Sequence, residues 1–430
     1  MTTPVSVFDR LRSEFFRYYG TPYRLKSEAV ERERRVMLDQ EGSTWREPWL
    51  EPLTDYPLTG LGLTEALRDT GAHADLDTFA RCGLVDWPQP DIFGHQRDAV
   101  ASAIEGRNVV VTAGTGSGKT ESFLLPVLNA LLAESEHWTG SSPAGPEWWK
   151  TGGRFVPQRR DESGRLPAVR ALLLYPMNAL VEDQLGRLRK SLDSAKSREW
   201  LDRNRGGHRF YFGRYTGNTP VSNWPTNKSK EGELKRYLTD AAARFDRWQH
   251  DASKRYFLAS TDGAEMRSRW DMQAAPPDLL ITNYSMLNIM LLRQLESPIF
   301  EQTRKWLEAD SQHVFHLIVD ELHMYRGTAG TEVAYLVRSL LHRLGLTPDS
   351  AQVRFIATSA SLGSGDHASS YLSEFFGASP TSFAMIEGSP IQPHDPPSNL
   401  SASARVFAAA AKSDPSGEVA LETLVKAKAK

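Results

Sequence analysis

The stretch Val109–Leu132, VVVTAGTGSGKTESFLLPVLNALL, decides the fold. Val109, Val110 and Val111 form a β-branched run of the kind found in strands buried on both faces. From Lys119 onward, Phe123, Leu124, Val127, Leu128 and Leu131 recur at the spacing of one apolar helical stripe. Between strand and helix, Gly114, Gly116 and Gly118 let the backbone turn its N–H groups inward, and the new helix adds its positive end. Such a turn is a phosphate cradle. Its residues are Gly114, Thr115, Gly116, Ser117, Gly118, Lys119, Thr120 and Glu121; Lys119 is expected to reach the β- and γ-phosphates of a nucleotide and the Thr120 hydroxyl to ligate Mg²⁺. The pattern opens with Ala113 where the common form has glycine, giving A-x-x-G-x-G-K-T.

Composition bounds what surrounds this turn. A chain of 430 residues, 40% hydrophobic and 24% charged, reads as a soluble protein of roughly two to three domains. Cys82 is the single cysteine, so no internal disulfide forms, and the histidines show no metal-ligand spacing with it. A cytoplasmic location is expected. No apolar run approaches the ~18 residues of a membrane span, and the N-terminal stretch lacks the apolar region of a signal peptide. A net charge of −2 does not advertise a nucleic-acid binder, although a local groove rather than the global sum contacts phosphate.

A second motif completes the catalytic expectation. In HVFHLIVDELHMYRGTAGTEVA another apolar strand ends at Asp320 and Glu321. Two carboxylates at a strand's C-terminal end suit a division of labour: Asp320 holds Mg²⁺, and Glu321 orients and deprotonates the attacking water. In an open parallel sheet ligands bind at that edge, so both motifs should face one crevice. Alternating strands and helices with functional turns at strand ends predict a doubly wound, mainly parallel α/β domain.

Asp320-Glu321-Leu322-His323 resembles the DExH box of superfamily 2 helicases, and further segments follow in that family's order. FGHQRDAV places Gln96 as in the motif whose amide reads adenine. LLLYPMNALVEDQ places Pro176, Asn178 and Gln184 at a strand-to-helix turn, GRYTGNTP places Thr216 and Gly217, and PPDLLITNYSMLNIML places Thr282 and Asn283; the resemblance implies nucleic-acid contacts there. It also implies that His323, with Ser359 and Ser361 in FIATSASLG, couples hydrolysis to strand movement. YPMNALVEDQ, TNYSMLNIML and DELHMYRGTAGTEVA together are similar to the large bacterial helicases related to MrfA, Hrq and Lhr, several of which act in DNA repair or in DISARM- and Druantia-type phage defence.

The resemblance spans about 91–385 and implies a RecA-like P-loop NTPase domain that uses ATP and Mg²⁺ on DNA, single-stranded or forked, with RNA also open. It further implies a second RecA-like domain, supplied in cis or by a partner chain, and the possibility of defence-complex partners; no membrane is involved. A nucleotide-gated scaffold with little turnover and a translocase on duplex remain alternatives.

From Lys119 to Asp320 is about 200 residues, more than the intervening βα units need. One insertion, 135–168, carries Trp138, Trp148, Trp149, Arg159 and Arg160 among glycines and prolines and reads as a long loop. The other, 219–275, interleaves basic residues such as Lys228, Lys235 and Arg244 with Tyr237, Trp248 and Phe257. It suits either base stacking beside phosphate contacts or a solvated helix packed through its aromatics. Residues 1–90 read as a mostly helical accessory arm, with Leu11, Phe15, Phe16 and Met37 as core candidates. FAMIEGSP reads as a linker strand, and 386–430 as a linker or the start of a further region.

Overall fold

The structure is a computed structural model, and it describes residues 4–23, 25–46, 55–86, 91–114, 116–140, 147–159, 164–251, 254–363 and 365–391. Eight strands form one sheet: β1 (Asn108–Thr112), β2 (Ala171–Tyr175), β3 (Phe212–Tyr215), β4 (Glu265–Met266), β5 (Leu279–Asn283), β6 (Phe315–Val319), β7 (Val353–Ser359) and β8 (Phe383–Glu387). Their order is β4-β3-β5-β2-β6-β7-β1-β8, and every neighbouring pair is parallel. Parallel strands with helices on both faces bury both faces, which is why β2 and β6 are buried along their whole length. All strands share one C-terminal edge. The phosphate turn after β1, the acidic pair after β6 and the serine turn after β7 therefore emerge together, in a RecA-like P-loop fold.

Two compact units divide the chain: Asp55–Pro390, and Met1–Thr54 with Ile391–Lys430. The division falls at 55, not at 91 as the sequence suggests. Leu63, Leu67, Leu76 and Phe79 enter the main core because two short helices, Leu63–Arg68 and Leu76–Ala80, carry them there. In the unit that holds Met1–Thr54 the helices Pro4–Gly20 and Glu28–Leu38 are present, but Leu11, Phe15 and Met37 are exposed and Phe16 is half-buried. Two helices enclose too little volume for a core; contact instead runs through Arg12, stacked 3.6 Å over Trp45 and paired with Asp39.

Neither insertion is a bare loop. Trp148 and Trp149 sit on a short helix, Trp148–Thr151, and join Val221, Leu234, Leu238 and Trp270 in a second small core. The two insertions thus pack on each other, since tryptophan has too much apolar surface to leave in water. Arg159 is buried, and Arg160 lies outside the described residues. The long helix Lys228–Trp248 buries Leu234, Leu238 and Ala242 and turns its charges outward. β4 falls inside the second insertion and closes one sheet edge. FAMIEGSP is likewise part of the sheet, since β8 pairs with β1.

Candidate functional site

Strand order explains how distant motifs meet. β7 separates β1 from β6, so the ends of β1 and β6 stand about 10 Å apart, two strand spacings. Long side chains close that gap: Lys119 Nζ lies 3.2 Å from Glu321 Oε1. β7 supplies the middle. Its Thr358 hydroxyl donates to Asp320 Oδ1, which also accepts the Glu321 N–H at 3.0 Å. Burial pushes the Asp320 carboxyl above the usual carboxylate range, with the Thr358 hydrogen bond pulling the other way. Glu321 sits in the left-handed region at φ 52°. A non-glycine residue rarely adopts that conformation, and such strain concentrates at functional turns.

The phosphate turn is held in shape before any ligand arrives. Gly116 and Gly118 have φ of 79° and 71°, which L side chains avoid. The Gly114 N–H donates to Tyr56 Oη at 2.7 Å, and a Cβ at Gly114 would approach that oxygen to 2.6 Å. His95 Nε2 bonds the Ser117 carbonyl at 2.7 Å; burial lowers the pKa of this ring, keeping it neutral. Gln96 is 2% exposed. It donates to the Gly118 carbonyl at 2.9 Å and accepts the Phe93 N–H at 2.9 Å. Its amide therefore braces the turn here rather than standing free for adenine. Thr115 lies outside the described residues. Glu121 is buried and pairs with Arg187 at 3.4 Å.

The expected coupling residues converge. His323 Nδ1 is 3.3 Å from Glu321 Oε2 and 3.4 Å from the Ala360 nitrogen, bridging the acidic turn to the serine turn. Ser359 is buried and its Oγ accepts the N–H groups of Ser361 and Leu362, at 3.2 and 3.1 Å. Arg326 donates to Ser361 Oγ at 3.3 Å.

The expected nucleic-acid residues separate into two groups. Because β2 pairs with β5, Asn178 and Asn283 meet: Asn283 Nδ2 donates to Asn178 Oδ1 at 2.6 Å. With half-buried Pro176 and exposed Gly217 they lie along the C-terminal edge of β2, β5 and β3. Thr216, Thr282 and Gln184 form the second group and turn into the fold. The Thr282 hydroxyl is fully buried and donates to the Tyr215 carbonyl at 2.7 Å. Buried Thr216 accepts the Asn218 N–H with its hydroxyl, at 3.3 Å. Gln184 points the other way altogether: it is buried, with Nε2 3.4 Å from Thr120 Oγ1. A threonine that closes a turn satisfies itself locally, and sequence order does not reveal which side of a helix faces the nucleotide.

Residues 93–208, spanning the braced turn and the helix of Gln184, match the family model described as DEAD/DEAH box helicase. The chain thus carries a DEAD/DEAH helicase family segment over those residues. It is 33% identical to the Druantia protein DruE of Escherichia coli strain UMEA 4076-1 over 86% of its own length. It is 21% identical to the ATP-dependent helicase HRQ1 of Saccharomyces cerevisiae over 70%. It spans about a fifth of either relative, 21% and 19%. Among solved structures it is similar to the DUF1998 helicase MrfA bound to DNA and AMPPNP, at 19% identity and a TM-score of 0.42 over 84% of this chain and 36% of that one. Helicases of this family use ATP with a divalent metal. The donors here fit such an ion: the Thr120 hydroxyl and Asp320 Oδ2, which accepts no hydrogen bond from a described residue, are hard oxygens.

Tyr56, His95, Thr358 and Arg187 are site residues that sequence reasoning missed. His95 stood next to Gln96 in FGHQ and was findable; Tyr56 carries no local signal. Among the described residues no helix is long and apolar enough to cross a membrane.

Proposed function

We propose that this chain is the ATP-binding lobe of a DNA-dependent motor in which Mg·ATP hydrolysis drives movement along a strand. The observation that carries the reading is the Lys119–Glu321 contact at 3.2 Å, which joins the phosphate turn to the catalytic carboxylate across β7. Lys119 and the backbone N–H groups of the turn bind the phosphates, Thr120 and Asp320 hold Mg²⁺, and Glu321 takes the proton of the attacking water. When bound, the cation would supply positive charge that offsets the phosphate oxygens. His323 and Ser359 pass the state of Glu321 to β7. Asn178, Asn283 and Gly217 meet the strand's phosphates without reading sequence. A second RecA-like lobe, in the same polypeptide or a partner, closes the crevice. The likeness to DruE supports a place in phage defence, and the motifs shared with MrfA-type helicases support DNA repair as the neighbouring role.

Steady-state ATP hydrolysis by the chain together with its second lobe tests this, with and without single-stranded DNA, and with RNA as competitor. Turnover should rise with DNA. A rate indifferent to any nucleic acid would sink the motor and favour a nucleotide-gated scaffold.

A further inference from the structure

Three buried features around Thr120 share one explanation. Gln184 is 6% exposed and its Nε2 reaches Thr120 Oγ1 at 3.4 Å, yet its other fork, Oε1, has no hydrogen-bond partner. Tyr175, at the end of β2, is fully buried and its hydroxyl has no partner either. The end of β2 lies beside Asp320, whose N–H donates to the Leu174 carbonyl at 3.2 Å, and Gln184 lies on the helix Asn178–Leu192 that follows β2. An unpartnered buried polar atom forgoes the hydrogen bonds it had in water, so a pair of them at one place calls for an explanation.

We propose that Gln184 and Tyr175 hold the water shell of the divalent cation bound by Thr120 and Asp320, Gln184 Oε1 accepting from one cation-bound water and the Tyr175 hydroxyl from another. This deepens the ATP-site reading and rests on it. Mg²⁺ gives up water reluctantly and keeps several molecules when bound by one or two protein oxygens. Each such water lies about 2.1 Å from the ion and hydrogen-bonds over about 2.8 Å. An acceptor roughly 5 Å from the ion is therefore what the shell requires. The two forks of the Gln184 amide suit this: one reaches the Thr120 hydroxyl at 3.4 Å, and the other is left without a protein partner. A nucleic-acid contact needs an exposed amide, and this one is enclosed.

The test is calorimetric titration of the 430-residue chain with ADP, first in EDTA and then across a series of MgCl₂ concentrations. In the wild type Mg²⁺ should tighten ADP. Gln184→Leu and Tyr175→Phe should each raise the Mg²⁺ concentration for half-maximal tightening by on the order of 10-fold, the low end of what outer-shell partners contribute. ADP affinity in EDTA should stay unchanged. Gln184→Glu keeps an acceptor oxygen and should restore most of the Mg²⁺ response. Tyr175→Phe also removes an unpartnered hydroxyl, so the variant should melt at or above the wild-type temperature without Mg²⁺; this variant keeps the test valid should Gln184→Leu fail to fold. Two outcomes overturn the proposal: wild-type Mg²⁺ dependence in both Gln184→Leu and Tyr175→Phe, or an equal loss of ADP affinity with and without Mg²⁺. A wild-type chain that binds no ADP in either condition would instead remove the ATP-site reading beneath it.

Discussion

At the scale of single residues, the site depends on a few atoms whose removal has separable effects. Glu321→Gln keeps the shape of the acid but not its charge or basicity. It should retain Mg·ATP binding and lower turnover of the complete motor by at least about 10²-fold, within the range general-base catalysis provides; single-turnover kinetics would show this, and a wild-type rate would remove Glu321 as the base. Lys119→Ala should act earlier, weakening ATP binding itself, because its ammonium faces the phosphates once it leaves Glu321. Tyr56→Phe asks a different question. It deletes the acceptor of the Gly114 N–H, a hydrogen bond worth about 0.5 to 1.5 kcal/mol net, or about 2- to 12-fold in affinity if the turn must be re-ordered on binding. Equal ATP affinity by calorimetry would mean that the turn keeps its shape without Tyr56. The contrast between these residues also shows what sequence can reveal. Lys119, Thr120, Asp320 and Glu321 stand out in the sequence because phosphate and metal chemistry ask for residue type and spacing together. Tyr56 was not, because any residue able to place one oxygen there would serve. Thr216 and Thr282 misled because a hydroxyl in a turn looks the same whether it serves a ligand or its own backbone.

At the scale of elements, the helix Lys119–Ser135 is fastened at both ends. Its N-terminus is set by the braced turn. Its C-terminal end is fixed by Glu134, which accepts Arg170 Nε at 2.7 Å, while Arg170 also donates to Asp278 at 2.8 Å. Arg170 and Asp278 immediately precede β2 and β5, so the network ties the helix to the N-terminal edge of the sheet. Trp138 and Trp306 each donate to Glu134 Oε1 at 3.2 Å. Burial alone would raise the Glu134 pKa, but the Arg170 guanidinium outweighs it and holds the carboxyl down at about 2, against an ordinary 4.5. A folded-state pKa below the unfolded one gives stability that is full above pH 4.5 and is lost as pH falls toward 2. Urea unfolding across that window should therefore show a decline that flattens in Glu134→Gln; an identical slope in the variant would assign the acid sensitivity elsewhere. Strands and helices in the core were readable from periodicity. The packed insertions were not, because Trp148, Trp149, Leu234 and Trp270 find each other across long sequence separations that no local pattern encodes. The boundary at Asp55 was hidden for the same reason: Phe79 packs edge-to-face on Phe210, 131 positions away, at 5.4 Å between ring centres.

At the scale of the whole molecule, the described residues of Asp55–Pro390 form one sheet with one functional edge. On that edge Lys119 and Glu321 remain 12% and 27% exposed in their side chains, so the nucleotide would rest on one wall. In nucleotide hydrolases generally, an arginine reaching the γ-phosphoryl group from outside such a wall raises the rate by about 10³ to 10⁵. We therefore expect these 430 residues alone to bind Mg·ATP and hydrolyse it slowly, at a rate nearly indifferent to DNA. Single-stranded DNA should bind weakly and with a shallow salt dependence, because few phosphates are neutralised by a single wall. Supplying the second lobe should raise hydrolysis and strand affinity together, since one closure completes both the γ-phosphate contacts and the groove. The coupling between the two also has a route on this side: Asn178 begins the helix whose Gln184 touches Thr120 and whose Arg187 pairs with Glu121. Fast, DNA-stimulated turnover by the purified chain would show that the crevice is completed differently; were a second copy to complete it, hydrolysis would rise with the square of protein concentration at high dilution.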